Sequence, residues 1–257
     1  MDGFEKYSEI FIERAKELLE KDKLNDNPEY QKVFMNNLLG ISGPKHLKRE
    51  ITPPDHFFSA LYNGFREISD SYYSLLDIET YIGRFPFSKT KISKVRHMIY
   101  HLECYLNEVY ILKERIKAYI TKVGRLYKKD PKHSEVLKKM RPLFPLIDNA
   151  LDNIVKARGS HVHESRFKDD DLDRISSLEF FAQHGGEELR LFRNLFIFDY
   201  LIIRRKYKKT LVNNNKEIRK LLDACFDILY GIVTLQDGKF HYPKGIKAQP
   251  TTGRGAR

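Results

Sequence analysis

Cysteine is almost missing from these 257 residues, with Cys104 and Cys225 the only two. Two thiols, each inside a segment of helical apolar spacing, exclude a disulfide framework and a zinc site built from cysteine pairs. They predict buried thiols in a reducing compartment. Long apolar runs are missing as well: the longest, residues 195–203, is interrupted by Asp199 and falls far short of the ~20 residues of a membrane span. The opening Met1-Asp2-Gly3-Phe4-Glu5-Lys6 lacks the layout of a secretory signal, and its acidic residues do not suit a transit peptide. The expectation is a cytoplasmic protein with no membrane attachment. There is also no glycine-rich phosphate loop, no Gly-x-Ser-x-Gly, no internal repeat and no convincing strand.

What is present is a core-forming, basic chain. Hydrophobic residues make up 41%, and 46 Lys+Arg against 35 Asp+Glu leave a formal charge of +11, which favours a polyanionic partner. Nearly every segment with a readable period is helical. Apolar residues recur at three and four over 4–21, and a second short piece covers 30–39. Prolines and glycines break the chain over 40–54, and the pattern resumes from Asp55 through Phe58, Leu61, Phe65, Ile68, Tyr72, Leu75 and Ile78. Ser93 begins the longest helix, which carries Val95 to Ile120 on one face and ends near Gly124. Pro142 suits the first turn of the next helix, and Asp169-Asp170-Asp171 suit the start of another, running to about Gln183 and followed by a turn at Gly185-Gly186. Two last helices are expected, over 187–209 and 214–235, parted by Asn213-Asn214-Asn215. The expected organisation is an N-terminal helical pair over 1–40, a loop or linker over 41–54, a helical domain over 55–236 and a basic, disordered tail over 237–257.

The chemistry-bearing stretch is Lys156-Ala157-Arg158-Gly159-Ser160-His161-Val162-His163-Glu164. Arginine is a permanent planar cation that clamps phosphate oxygens, and histidine takes and gives protons near neutrality, so the two together can act on a phosphodiester. The same residues have a plainer reading, with Arg158 serving the helix carbonyls, Gly159 ending the helix and both histidines in a loop. A third reading joins His161 and His163 to the Asp169–Asp171 run around a divalent metal, although helix-start preference already explains those aspartates. His97 and His101 stand four apart on one helix face, without the glutamate of a zinc-protease helix, and read as two half-exposed histidines. Basic runs at Arg204-Arg205-Lys206-Tyr207-Lys208-Lys209, at 122–129 and at 138–141 can track a nucleic-acid backbone; helix ends also favour such cations.

The pattern of arginine, four residues and histidine at the end of an apolar helix resembles the higher eukaryotes and prokaryotes nucleotide-binding (HEPN) family, whose signature is an arginine and a histidine separated by four to six residues. The resemblance covers Arg158 to His163 and implies an all-α bundle of long antiparallel helices with additional N-terminal helices. It also implies a metal-independent endoribonuclease without cofactor, in which Arg158 contacts the scissile phosphate, His163 transfers the proton and His161 assists. The expected partners are RNA, a second copy of the chain, and a cognate antitoxin or regulatory protein in a toxin-antitoxin or defence setting. Arg204, Arg205, Lys206 and Lys208 are the candidate nucleic-acid contacts. The other reading is a non-catalytic helical module that binds nucleotide, RNA or a protein. Gly159 stands where the family often carries a polar residue, which leaves Ser160 or His161 to take that role.

Overall fold

The chain is all-α in a computed structural model that describes residues 2–21, 28, 31–32, 36, 52–84, 92–163 and 169–245, with the side chains of 18–21 and 157–163 outside that description. Among the described residues the helices are α1 (Gly3–Lys21), α2 (Pro53–Gly83), α3 (Lys94–Leu126), α4 (His133–Met140), α5 (Leu143–His163), α6 (Asp170–His184) and α7 (Arg190–Val233). No strand occurs among them, only an isolated bridge between Thr234 and Phe240. No described helix is long and apolar enough to cross a membrane. Of the expected second helix over 30–39 only residues 31–32 and 36 are described, and the loop over 41–51 lies outside the described residues.

The chain divides into two compact units, and α2, α3, α5 and α7 each contribute residues to both. The first comprises residues 1–69, 115–147 and 220–257. Its core is aromatic. Phe4, Tyr7, Ile10 and Phe11 form the buried stripe of α1, at the three- and four-residue spacing of one helix face. Phe11 stacks on Phe65 of α2 at 5.3 Å between ring centroids, and Tyr7 meets Phe226 of α7 at 4.9 Å. Two glycines permit the closest approaches. At Gly3 a β-carbon would collide with the Asp223 carbonyl, and at Gly64 it would enter the Tyr119 ring. The Asp223 carboxylate in turn accepts from the Phe4 N–H at 3.2 Å, satisfying a donor that the start of α1 leaves open. Thus α1 belongs to the core of this unit.

Thr52 and Asp55 bond reciprocally at the start of α2, with Pro53 in its first turn, so the helix begins two residues before the sequence pattern suggests. The segment after α7 also departs from expectation. A turn through Gly238, at φ +80°, returns the chain so that His241 N–H reaches the Val233 carbonyl at 2.8 Å and Phe240 is buried. Residues 237–245 therefore pack, because Phe240 and Tyr242 bring apolar area that a basic tail lacks; 246–257 lie outside the described residues.

The second unit comprises residues 70–114 and 148–219. Here the sequence reading of two helices parted by three asparagines is corrected: α7 runs unbroken through them. Asn215 falls on the buried stripe of Tyr207, Leu211 and Ile218, and its amide is satisfied there. It accepts from Tyr105 Oη at 2.8 Å and donates to Glu79 Oε2 at 3.0 Å. Burial with partners outweighs the few tenths of a kcal/mol by which asparagine disfavours a helix. The start of α6 matches expectation, with Asp169 accepting from the N–H groups of Asp171 and Leu172. The start of α3 uses a residue from elsewhere. Glu179 of α6, 5% exposed, accepts from the Lys94 N–H at 2.8 Å and from the Ser93 hydroxyl.

Glu179→Ala strands these donors, and a loss of about 2 kcal/mol in unfolding free energy is expected. Glu179→Gln, which keeps an acceptor, should lose less. A urea titration followed by circular dichroism measures both, and equal losses would show that the charge of Glu179, which glutamine lacks, and not its capacity to accept, holds the start of α3.

Candidate functional site

The buried face of α5 consists of Leu143, Ile147 and Leu151, after which Ile154 and Val155 are only half-buried and Lys156 is exposed. The Arg158 to His163 stretch occupies the last two turns of α5. The backbone stays helical through Gly159, which corrects the reading of that glycine as a helix end. On a continuous helix of 3.6 residues per turn, positions 158 and 161 share a face, while 158 and 163 are about 140° apart. These side chains lie outside the described residues. So do residues 164–168, between the motif and Asp169.

The basic run of α7 lies in mid-helix and not at a helix C-terminus, so the helix dipole does not account for it. Its members are differently engaged. Lys206 Nζ is 2.7 Å from Asp171 Oδ2, and this hydrogen bond is the main cause holding the Asp171 carboxyl below its ordinary range. The Arg204 guanidinium lies 5.5 Å from the centroid of the Tyr200 ring, and Lys208 covers Gly83. Arg205 is exposed.

The first turns of α7 carry a second feature that periodicity alone did not separate from core. Phe196, Tyr200 and Ile203 are buried, but Leu191, Leu195, Phe198 and Ile202 form a parallel stripe that is 66%, 42%, 64% and 47% exposed. Phe180 and Phe181 of α6 are also exposed, at 59% and 42%. A helix apolar on two sides has one side to offer a partner.

In the first unit, the other two basic runs converge. The turn after α3 and the short α4, which the sequence pattern does not announce, fold so that Arg125 and Lys128 stand with Lys138 and Arg141 around one groove of about 940 Å³. Its floor includes Ile120, Leu137, Met140 and Phe144, and no carboxylate lines it. His133 lines it too, with a buried Nδ1 that has no hydrogen-bond partner among the described residues. The signal missed in the sequence was the short amphipathic spacing of Val136 and Met140, both buried, which returns the second basic run to the first.

His97 and His101 do meet: their Nε2 atoms are 3.2 Å apart, and the Tyr81 ring lies 5.4 Å from that of His101. No group of three or more histidine, cysteine, aspartate or glutamate side chains able to hold a metal occurs among the described residues. Both thiols are free; Cys225 is buried and pushed up to about 12 by desolvation, whereas Cys104 is half-buried, short of the burial expected for it. No family model, curated protein or solved structure matches the chain.

Desolvation holds both imidazoles below the ordinary histidine value, with His101 adding to the effect on His97. The folded state thus prefers the neutral rings. Their contribution is complete above the unfolded value of about 6.5 and is lost as pH falls through the lower folded values. Stability should decline as pH falls below about 7, and His97→Gln with His101→Gln should flatten that decline. His56, held low by desolvation and by Lys122, will leave a residual slope. Urea midpoints across this range test the assignment, and an unaltered slope in the double variant would refute it.

Proposed function

We propose that the chain is a HEPN-type endoribonuclease that acts as a homodimer and needs no metal. The observation that carries the reading is the place of Arg158, His161 and His163 in the last two turns of α5, in an all-helical chain of formal charge +11. In this reading the Arg158 guanidinium binds the scissile phosphate, where its fixed donors meet developing charge. His163 transfers the proton as the ribose 2′-oxygen bonds to the adjacent phosphorus and the bond from phosphorus to the 5′-oxygen breaks, the proton lost from the 2′-hydroxyl being balanced by the one that the leaving 5′-oxygen gains; His161 orients, and RNA is the substrate because DNA lacks that hydroxyl. Positions about 140° apart on one helix are more readily completed across two copies than within one. The exposed stripe of Leu191, Leu195, Phe198 and Ile202 supports a second copy as partner, since a two-fold interface buries the same apolar patch from both sides. Arg204, Arg205 and Lys208 are proposed to follow the RNA backbone on the same unit, and a regulatory or antitoxin protein would restrain the activity.

Incubation of the purified chain with total RNA in chelator should leave cyclic phosphate ends. Arg158→Ala and His163→Ala should each lower cleavage by about 100-fold or more with an unchanged circular-dichroism spectrum; unaltered cleavage removes both residues from the mechanism. Phe198→Glu should convert a dimer to a monomer in light scattering and abolish cleavage. A Phe198→Glu monomer that still cuts RNA would place the whole site in one chain.

A second reading, a non-catalytic module that binds RNA or protein, is favoured by the helical register itself. If positions 158 and 163 stay on different faces and no second copy completes them, no reaction centre forms. RNA bound but intact in chelator would select it.

A further inference from the structure

We infer that the groove between the end of α3, α4 and the first turn of α5 is a binding site for single-stranded RNA, with an unstacked base on its apolar floor and phosphates on its cationic walls. The inference rests on the reading that the chain acts on RNA, but not on cleavage by Arg158 and His163. Four independent features of the groove converge. Its cations come in two pairs, Arg125 with Lys128 and Lys138 with Arg141, each three residues apart and all exposed, and no carboxylate faces them. The neighbouring Lys139 shows the contrast: it is paired with Glu135 at 2.8 Å and does not line the groove. Second, Pro142, Phe144 and Pro145 place the start of α5 at the groove, where a helix carries its positive end.

The third feature is the floor. Met140 is buried and Phe144 half-buried, while Leu137 is 46% exposed, so the groove offers apolar area for a flat ring. The fourth is His133, whose buried Nδ1 has no hydrogen-bond partner among the described residues. A purely apolar ligand would leave both the walls and this nitrogen unanswered. An acidic helix of a partner protein would meet the walls but would lay apolar side chains against the imidazole. A nucleotide answers all of them, with phosphate oxygens for the cations, a base for the floor and a base edge or sugar hydroxyl for His133. The volume of about 940 Å³ and the open form suit a strand that passes through in preference to a single enclosed nucleotide.

The test uses the full chain and a fluorescent 2′-O-methyl oligouridylate of about 12 nucleotides, which presents phosphates and bases but cannot undergo attack by its own 2′-oxygen. Fluorescence anisotropy should show Arg125→Ala with Lys138→Ala weakening binding by about tenfold or more, and the slope of log affinity against log salt falling by roughly 0.7 for each phosphate that the variant no longer neutralises. Leu137→Glu should weaken binding as well, while Lys139→Ala should leave it unchanged. These exposed positions are not expected to disturb folding, which circular dichroism verifies. Equal effects of Lys138→Ala and Lys139→Ala would mean diffuse attraction to a basic surface and would overturn the site. Displacement of the oligonucleotide by uridine monophosphate at similar concentration would overturn the strand as occupant. An acidic amphipathic Leu/Glu peptide that outcompetes the oligonucleotide would overturn RNA in favour of a protein. Groove-dependent binding with no cleavage of ordinary RNA would sink the nuclease and leave the groove; cleavage lost in Arg158→Ala with binding indifferent to the groove variants would do the reverse.

Discussion

Tyr127 is the point on which the first unit hangs. Its ring is completely buried at the exit of α3, against Phe57 at 6.1 Å and His241 at 5.7 Å. Its hydroxyl shares one proton between the carbonyls of Ile232, at 3.1 Å, and His241, at 2.9 Å. Burial pushes its ionisation far above the ordinary tyrosine range, so it stays a donor at any accessible pH. Three residues on, Asp130 fixes the next link by accepting from the N–H groups of Lys132 at 2.8 Å and Lys244 at 2.9 Å. Desolvation pushes the Asp130 carboxyl up, but those two N–H groups and the charges of His241 and Lys132 together hold it below its usual range. The turn that launches α4, and with it the wall carrying Lys138 and Arg141, is therefore set by polar groups that would be costly to leave unpaired. The groove is held by a lock between α3, the end of α7 and residues 234–245.

Buried polar residues play the same part elsewhere. Tyr7 and Tyr119 share a hydrogen bond of 2.7 Å inside the aromatic core. In the second unit, Asn215 and Glu179 each join elements distant in sequence. Such groups contribute less net stability than apolar residues of the same volume, yet they penalise every arrangement that leaves them unsatisfied. For a chain composed almost wholly of amphipathic helices, whose apolar stripes are interchangeable to first order, this selects one docking of each stripe.

Helices were legible where a stripe was long and a start signal stood before it. Ser93 and Asp169 mark the starts of α3 and α6 in the sequence, and the turn at Gly185-Gly186 follows from glycine, with Gly186 at φ +61°. The unbroken α7 was not legible, because three asparagines carry a strong local bias toward turns and only the distant Tyr105 and Glu79 reveal why one of them is buried. Nor was the groove. Its two basic runs are visible in the sequence, but each alone is indistinguishable from a solvated helix end, and only the docking of α4 brings them to one place. The exposed stripe of α7 shows the converse difficulty, since periodicity records that a face is apolar and not whether anything covers it.

The same distinction bears on Arg158 to His163. An arginine and a histidine close in sequence suggest closeness in space only if the chain between them leaves the helix, and the plainer reading of Gly159 as a helix end placed both histidines in a loop. With α5 helical to His163, proximity along the chain becomes separation around an axis. What the motif retains is its location, in the last two turns of one helix and ahead of the aspartates that begin the next. A catalytic role then requires that something outside this helix bring a second surface to it. The exposed stripe on the same unit is the feature suited to do so, which makes assembly, more than the identity of the residue after the arginine, the condition on which the proposed activity turns.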